Sequence, residues 1–269
     1  VKTSILMSLY AKEKPEYLNE CLKSLHNQTL KADEIVVVYD GPLSYQLKAI
    51  VEVWSVKLPI KVVVLEKNVG LGNALQIGLK HCHYNLIARM DADDICKPFR
   101  LERQVDCFLK DSKLTCLGSW INEFDDSVEN ITSVKKVPLD YTDIVRFSKY
   151  RNPMNHMTVM FKKDAVLKSG GYKHLHFMED YYLWLRMIAK GYKFMNLQEV
   201  LVDARTGRGM LERRGGIQYL KSEIELSRYK FELKISSALE AYSSLMLRST
   251  SRVLGVSGRR RIYKFIRSR

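Results

Sequence analysis

The chain has 269 residues, 46% hydrophobic and 28% charged, with a formal net charge of +14. That composition suits one large α/β domain and excludes a disordered chain, and no stretch approaches the roughly 18 uninterrupted apolar residues of a membrane-spanning helix. Five cysteines (Cys21, Cys82, Cys96, Cys107, Cys116) without a C-x-x-C pair argue against a disulfide framework or a zinc site, and with no charged-then-apolar leader at the start a cytoplasmic location is expected.

Residues 3–10 read as a short apolar strand. A helix is expected around 16–27, where Leu18, Cys21, Leu22 and Leu25 repeat at i, i+3, i+4 and i+7. The run Glu34-Ile-Val-Val-Val-Tyr-Asp40 is the pattern of a strand buried on both faces of a parallel sheet. A helical stretch near 43–54, a third strand over 60–66, a glycine-bearing loop at 68–72, a short helix and a fourth strand over 85–90 follow. This β-α-β-α-β-α-β order predicts a doubly wound sheet with right-handed crossovers, whose ligands sit at the carboxyl ends of the strands. Asp40, the 68–72 loop and residues 91–94 all fall on that edge.

Further on, 99–109 is expected to be helical, 114–121 a strand, 122–138 a polar loop or hairpin and 155–161 an alternating strand. A short helix over 163–168 stops at Gly170-Gly171. An amphipathic helix over 179–190 closes at Gly191, and a long helical pattern runs from 217 to about 247. Between residues 205 and 269 there are 16 Lys/Arg against 5 Asp/Glu, an asymmetry that points to an anionic partner. At 259–267, Ile262, Tyr263, Phe265 and Ile266 stand among cations, as in a helix lying on an anionic membrane. A basic tail or a helix docked on the chain's own domain would read the same way.

Asp91-Ala-Asp93-Asp94 is the string richest in chemistry. A hard divalent cation bridging a nucleotide diphosphate needs carboxylate oxygens, and D-x-D at a strand tip aims alternate side chains into one pocket. An acidic triplet alone also occurs in solvated loops. Asp40, before the Gly41-Pro42 turn, can accept from a base edge or a ribose hydroxyl, or serve only as a turn residue. Asn68-Val-Gly70-Leu-Gly72 is not a dinucleotide fingerprint, since Leu75 stands where the third glycine belongs; its glycines let backbone approach a nucleotide as a helix begins. Glu179-Asp180 opens a helix, where carboxylates suit the helix dipole and where one of them could act as a general base. His156 could meet a diphosphate, assist a metal or simply pack.

In this order, a strand with terminal Asp, a glycine loop, D-x-D-D, His156-x-Thr158, Gly-Gly-Tyr172 and Glu-Asp before an aromatic-rich helix, the chain resembles the inverting family 2 glycosyltransferases of the GT-A fold. More narrowly it resembles bacterial enzymes that build O-antigen, capsule and exopolysaccharide repeat units. The resemblance spans roughly residues 3–206. It implies a mostly parallel, Rossmann-like sheet flanked by helices, with a catalytic domain over 1–206 (nucleotide-sugar half 1–110, acceptor half 111–206) and a basic helical extension over 207–269. It implies that Asp180 is the base, supported by Glu179; that Tyr10, Asp40, Asn68, Gly70, Arg89, Asp91 and His156 serve the nucleotide-sugar; and that Asp93, with Asp91, ligates Mn2+ or Mg2+. Residues 8–11, Ser-Leu-Tyr-Ala, depart from the Pro-x-Tyr-Asn ending of many relatives, though Tyr10 still suits stacking on a base.

The expected reaction moves a hexose, galactose or glucose, from a UDP-sugar in β-1,3 linkage to a GlcNAc or GalNAc on undecaprenyl diphosphate. It would run at the inner leaflet of a bacterial inner membrane, reached through the basic C-terminus, with no nucleic-acid partner. A nucleotidyltransferase lacks its glycine- and Lys/Arg-bearing phosphate loop after the first strand, and a nucleic-acid-binding protein would leave three acidic clusters at strand ends unexplained.

Overall fold

A computed structural model describes residues 1–206 and 216–253. The segment 259–267 lies outside the described residues. The first half alternates as the sequence predicts: β1 (Thr3–Leu9), α1 (Pro15–His26), β2 (Glu34–Tyr39), α2 (Tyr45–Ser55), β3 (Ile60–Val64), α3 (Leu71–His81) and β4 (Leu86–Asp91). Then come β5 (Ile95–Cys96), α4 (Arg100–Lys110), β6 (Leu114–Phe124), β7 (Ile131–Lys135), α5 (Tyr141–Ser148), a 3-10 turn (His156–Thr158), β8 (Met160–Lys162), α6 (Lys163–Lys168), α7 (Glu179–Ala189) and β9 (Lys193–Arg205). Two helices close the described chain, α8 (Ile217–Glu232) and α9 (Ala238–Val253).

One sheet carries the strands in the order β3-β2-β1-β4-β8-β6-β9-β5, with β7 on β6. Strands β1 to β4 are parallel, while β8 runs antiparallel to both β4 and β6. The strand period sorts the core: Ile5, Met7, Ile35 and Val37 face α1 and α2 with Leu18, Cys21 and Leu22, whereas Leu6, Val36 and Val38 face α3 with Ala74, Leu75 and Leu79. Gly78 brings α3 close to the sheet, since a Cβ there would lie 2.5 Å from Val38 Cγ2 and 2.6 Å from Leu6 Cδ1. All five cysteines are free and four of them are buried, as small apolar residues.

Four elements differ from expectation. The alternation at 155–161 mimics a strand, but Thr158 donates N–H and Oγ1–H to the Asn155 carbonyl at 2.9 and 2.8 Å, closing a tight turn instead. The helical pattern after 217 breaks at Lys234 (φ 56°), and a reciprocal cap of Ser237 with Glu240 restarts it as α9. Helix α5, capped by Asp140 on Asp143 N–H at 3.0 Å, is short but sets Tyr141, Ile144 and Val145 at helical spacing, whereas the long strand β9 is not legible from periodicity. In β9 the buried Asn196 and Asp203 interrupt the apolar signal; Asp203 accepts from the Asn122 amide, and the Asn196 amide nitrogen donates to the Pro138 and Pro153 carbonyls.

Candidate active site

Because β1, β2, β3 and β4 are parallel, Tyr10, Asp40, the 68–70 loop and Asp91 emerge on one edge of the sheet. Tyr10 follows directly after β1 and is half-buried there. Asp40 is 3% exposed and holds the neighbouring loop: its carboxylate accepts from Val69 N–H at 2.7 Å, Gly70 N–H at 3.1 Å and the Asn68 amide at 3.0 Å. Gly41 (φ +89°) is required beside it, for a Cβ would lie 2.7 Å from Asn68 N. Gly70 (φ +85°) turns the chain into α3.

At the tip of β4, Arg89 and Asp91 alternate onto the same face and pair through both guanidinium Nη atoms. Arg89 is 1% exposed, and Asp91 is the more accessible partner. Burial and then the adjacent Asp91 push the Asp93 carboxyl up to about 7; burial and Asp93 likewise raise Asp94 well above its ordinary value. Asp94 Oδ1 accepts Arg205 N–H at 2.8 Å, whereas Oδ2 is buried with no hydrogen-bond partner among the described residues. Carboxylates so crowded resist being charged together unless a cation joins them. No group of three or more His, Cys, Asp or Glu forms a cage for a metal among the described residues. Asp91 and Asp93 are oxygen donors of the kind a hard divalent cation takes, and any further ligands would have to come from outside the chain.

Across the edge, α7 begins with Glu179 and Asp180. Phe177 takes a left-handed backbone (φ 60°) just before them, a conformation costly for an aromatic residue and often found where a turn aims functional groups. A Cβ on Gly72 would lie 3.0 Å from Glu179 Cβ, so glycine lets the start of α3 approach the start of α7. Burial and then Asp180 push the Glu179 carboxyl up to about 7. Asp180 Oδ2 accepts from the Asn152 amide at 2.6 Å. Burial raises the Asp180 carboxyl, and the Asn152 hydrogen bond, Tyr181 N–H, Arg89 and Lys135 oppose that rise.

His156 Nε2 lies 2.9 Å from Tyr172 Oη, and its ring packs edge-on to Trp184. Burial and the Arg89 charge push its imidazole well below the ordinary range, so it stays neutral at physiological pH. The structure therefore brings together Arg89, Asp91, Asp93, His156, Glu179 and Asp180, while Asp40 and Asn68 form the wall beside them.

Two contributors escape the sequence reading. Arg205 donates from Nε to the Asp93 carbonyl at 3.2 Å, pairs with Glu20 and stacks 3.7 Å over the Tyr17 ring, tying the acidic turn to α1. Asn152 is the other. Neither belongs to a local motif: Arg205 reaches Asp93 across 112 residues, and Asn152 precedes its partner by 28.

The family model described as Glycosyl transferase family 2 matches residues 4–167. The amylovoran biosynthesis glycosyltransferase AmsE of Erwinia amylovora is 44% identical, over 97% of this chain and 97% of its own. A UDP-Gal:alpha-D-GlcNAc-diphosphoundecaprenol beta-1,3-galactosyltransferase of Escherichia coli is 38% identical, over 98% of this chain and 95% of its own. The crystal structure of S. aureus TarS 1-349 in complex with UDP-GlcNAc superimposes with a TM-score of 0.71 at 18% identity, covering 93% of this chain and 73% of that chain. That likeness is one of fold.

Proposed function

The chain belongs to glycosyl transferase family 2, and on that premise we propose that it transfers a hexose, galactose or glucose, from a UDP-sugar to a lipid-diphosphate-linked GlcNAc or GalNAc with inversion. The observation that carries the reading is the pair of acidic groups on one edge of the sheet, Asp91-x-Asp93 at the tip of β4 and Glu179-Asp180 at the start of α7, with Gly72 packed between the two halves. Family membership sets aside the nucleotidyltransferase and nucleic-acid alternatives.

In this reading UDP occupies the edge formed by Tyr10, Asp40, Asn68 and Gly70, with its diphosphate beside Arg89 and Asp91. Mn2+ or Mg2+, held by Asp93 and Asp91, would neutralise charge growing on the leaving diphosphate. Asp180 takes the proton of the acceptor hydroxyl as that oxygen attacks the anomeric carbon from the face opposite UDP. The bond from the anomeric carbon to the diphosphate oxygen breaks as the new glycosidic bond forms, and UDP leaves with the electron pair. A carboxyl raised by burial is a better proton acceptor than an exposed one, and the Asn152 amide keeps it ionised and aimed. Glu179 flanks the acceptor, and neutral His156 with Tyr172 lines the pocket floor.

A lipid-linked acceptor places the reaction at a membrane surface. The excess of cations after residue 205 suits the anionic inner leaflet of a bacterial cytoplasmic membrane. The attachment we propose is peripheral; no helix of the described residues is long and apolar enough to cross a membrane.

The test is to incubate the protein with Mn2+ and a panel of UDP-sugars, following UDP release with and without a GlcNAc-diphosphate-lipid analogue. Release from one donor, stimulated by the acceptor and lost with EDTA, supports the reading and names the sugar. Turnover that survives Asp180→Asn at near wild-type rate removes Asp180 as the base.

A further inference from the structure

Helices α8 and α9 lie beyond the residues matched by the family model, yet they reach the neighbourhood of Asp180. Three consecutive backbone carbonyls at the end of α5 are captured by side chains. Tyr181 Oη donates to the Ser148 carbonyl at 2.7 Å, Lys230 Nζ to Lys149 at 2.9 Å and Arg248 Nη1 to Tyr150 at 3.0 Å. Carbonyls at a helix end have no partner within the helix, so these donors decide where the chain goes next. Two residues later Asn152 gives its amide to Asp180.

The charges that do this are buried or half-buried. Lys230 and Glu223 are each 2% exposed, and Glu223 holds Arg248 through two hydrogen bonds of 2.6 and 2.8 Å. Burying ions is a poor way merely to dock two helices, because apolar side chains of similar size would do so without the desolvation cost. What buried ions provide is fixed direction. On the other side of Asp180, Tyr219 of α8 stacks on Phe177, the residue of left-handed backbone that leads into α7.

We infer that the C-terminal helical hairpin positions the proposed catalytic base: Lys230 and Arg248 hold the 149–150 carbonyls so that Asn152 meets Asp180 in one orientation. The inference rests on Asp180 being the base. Lys230, Arg248 and Asn152 are positioning residues, which act through Asp180. The groups facing Asp180 are Glu179 and Tyr181 from its own helix, Arg89 from β4, Lys135 from β7, Tyr172 and Asn152.

The experiment compares Lys230→Met, Asn152→Ala, the double variant and Asp180→Asn in the full chain, with the UDP-sugar turned over in the panel above and the GlcNAc-diphosphate-lipid analogue. Lys230→Met keeps the stem and removes only the ammonium. The expected result is a kcat lowered about 10-fold to 100-fold in Asn152→Ala, the range for losing one hydrogen bond to a charged group, and lowered by at least about 3-fold in Lys230→Met, which acts on the same bond indirectly. KM for the UDP-sugar and calorimetric UDP affinity should stay at wild-type values. The acid limb of the kcat profile should move to higher pH, because the Asn152 hydrogen bond favours the ionised carboxylate. The double variant should be no slower than Asn152→Ala, as for residues acting in series. Wild-type kcat and pH profile in Lys230→Met, or losses that multiply in the double variant, would overturn the inference while leaving the base assignment standing. Turnover surviving in Asp180→Asn would instead sink the base assignment, and the inference with it.

Discussion

Replacing Asp40 with Ala separates two roles for one carboxylate. In the structure its two oxygens accept from Val69 N–H, Gly70 N–H and the Asn68 amide, and the residue is 3% exposed. A hydrogen bond to a charged group is worth about 1.5–3 kcal/mol, and neighbouring losses do not add in full. With water reaching part of the freed loop, the expected cost of Asp40→Ala is about 3 kcal/mol, or about 6–12 °C in Tm for a chain of this size. Asp40→Asn should recover part of it, because its carbonyl oxygen can still accept from Gly70 N–H and the Asn68 amide while its NH2 faces the Val69 N–H donor. Thermal unfolding without nucleotide measures the first effect, and calorimetric UDP titration in Mn2+ measures the second. The clamp reasoning predicts that both fall together, since the loop that walls the proposed uridine site loosens. An Asp40→Ala protein that melts within a degree or so of wild type yet no longer binds UDP would refute it, leaving Asp40 as a base-contacting residue only.

Other substitutions probe other levels. Burial and then the Arg248 charge push the Lys230 ammonium down to about 7. Between that value and the unfolded value of about 10.5 the unfolded chain binds one more proton, so stability rises with pH by up to about 1.4 kcal/mol per unit. Lys230→Met should flatten that rise in urea unfolding and stabilise the protein at pH 7 by about 2 kcal/mol once the lost hydrogen bond is deducted; an unchanged pH slope would show that Lys230 is not the group responsible. Gly78→Ala should destabilise by about 1–2 kcal/mol despite the better helix propensity of alanine, because its Cβ meets Val38 and Leu6 inside normal contact distance. A stabilised Gly78→Ala protein would mean that α3 sits farther from the sheet. Asp93→Ala should abolish the metal dependence of UDP binding without lowering Tm, and a UDP affinity still raised by Mn2+ would move the ligand assignment elsewhere.

Local signals carried the first half of the fold. The apolar run at β2, the apolar face of α1 and the alternation of strand and helix together point to a parallel sheet, because crossover helices cover both faces of the strands they connect. With the sheet comes the edge at its strands' carboxyl ends, where Asp40, the glycine loop and the Asp91-x-Asp93 tip fall together from the order of elements alone. Glu179-Asp180 was legible through its position at a helix start. The second half was not read as well. Its strand β9 keeps polar residues in the core, Asn196 on the Pro138 and Pro153 carbonyls and Asp203 on Asn122, and such pairing is invisible to periodicity. The 3-10 turn at His156 turns on a Thr158 hydroxyl that competes with strand geometry.

The sequence by itself thus determined the four parallel strands β1 to β4, the helices between them and the chemical types at their carboxyl ends, since these follow from short-range patterns of burial and charge. Only the tertiary structure decided what each carboxylate does there: Asp40 strapped to a loop, Asp91 paired with Arg89, Asp94 turned inward to Arg205 and Asp180 aimed by Asn152. The reason is that a carboxylate's proton affinity and direction are set by the few groups within hydrogen-bonding and Coulombic reach, and here most of those groups lie tens of residues away along the chain.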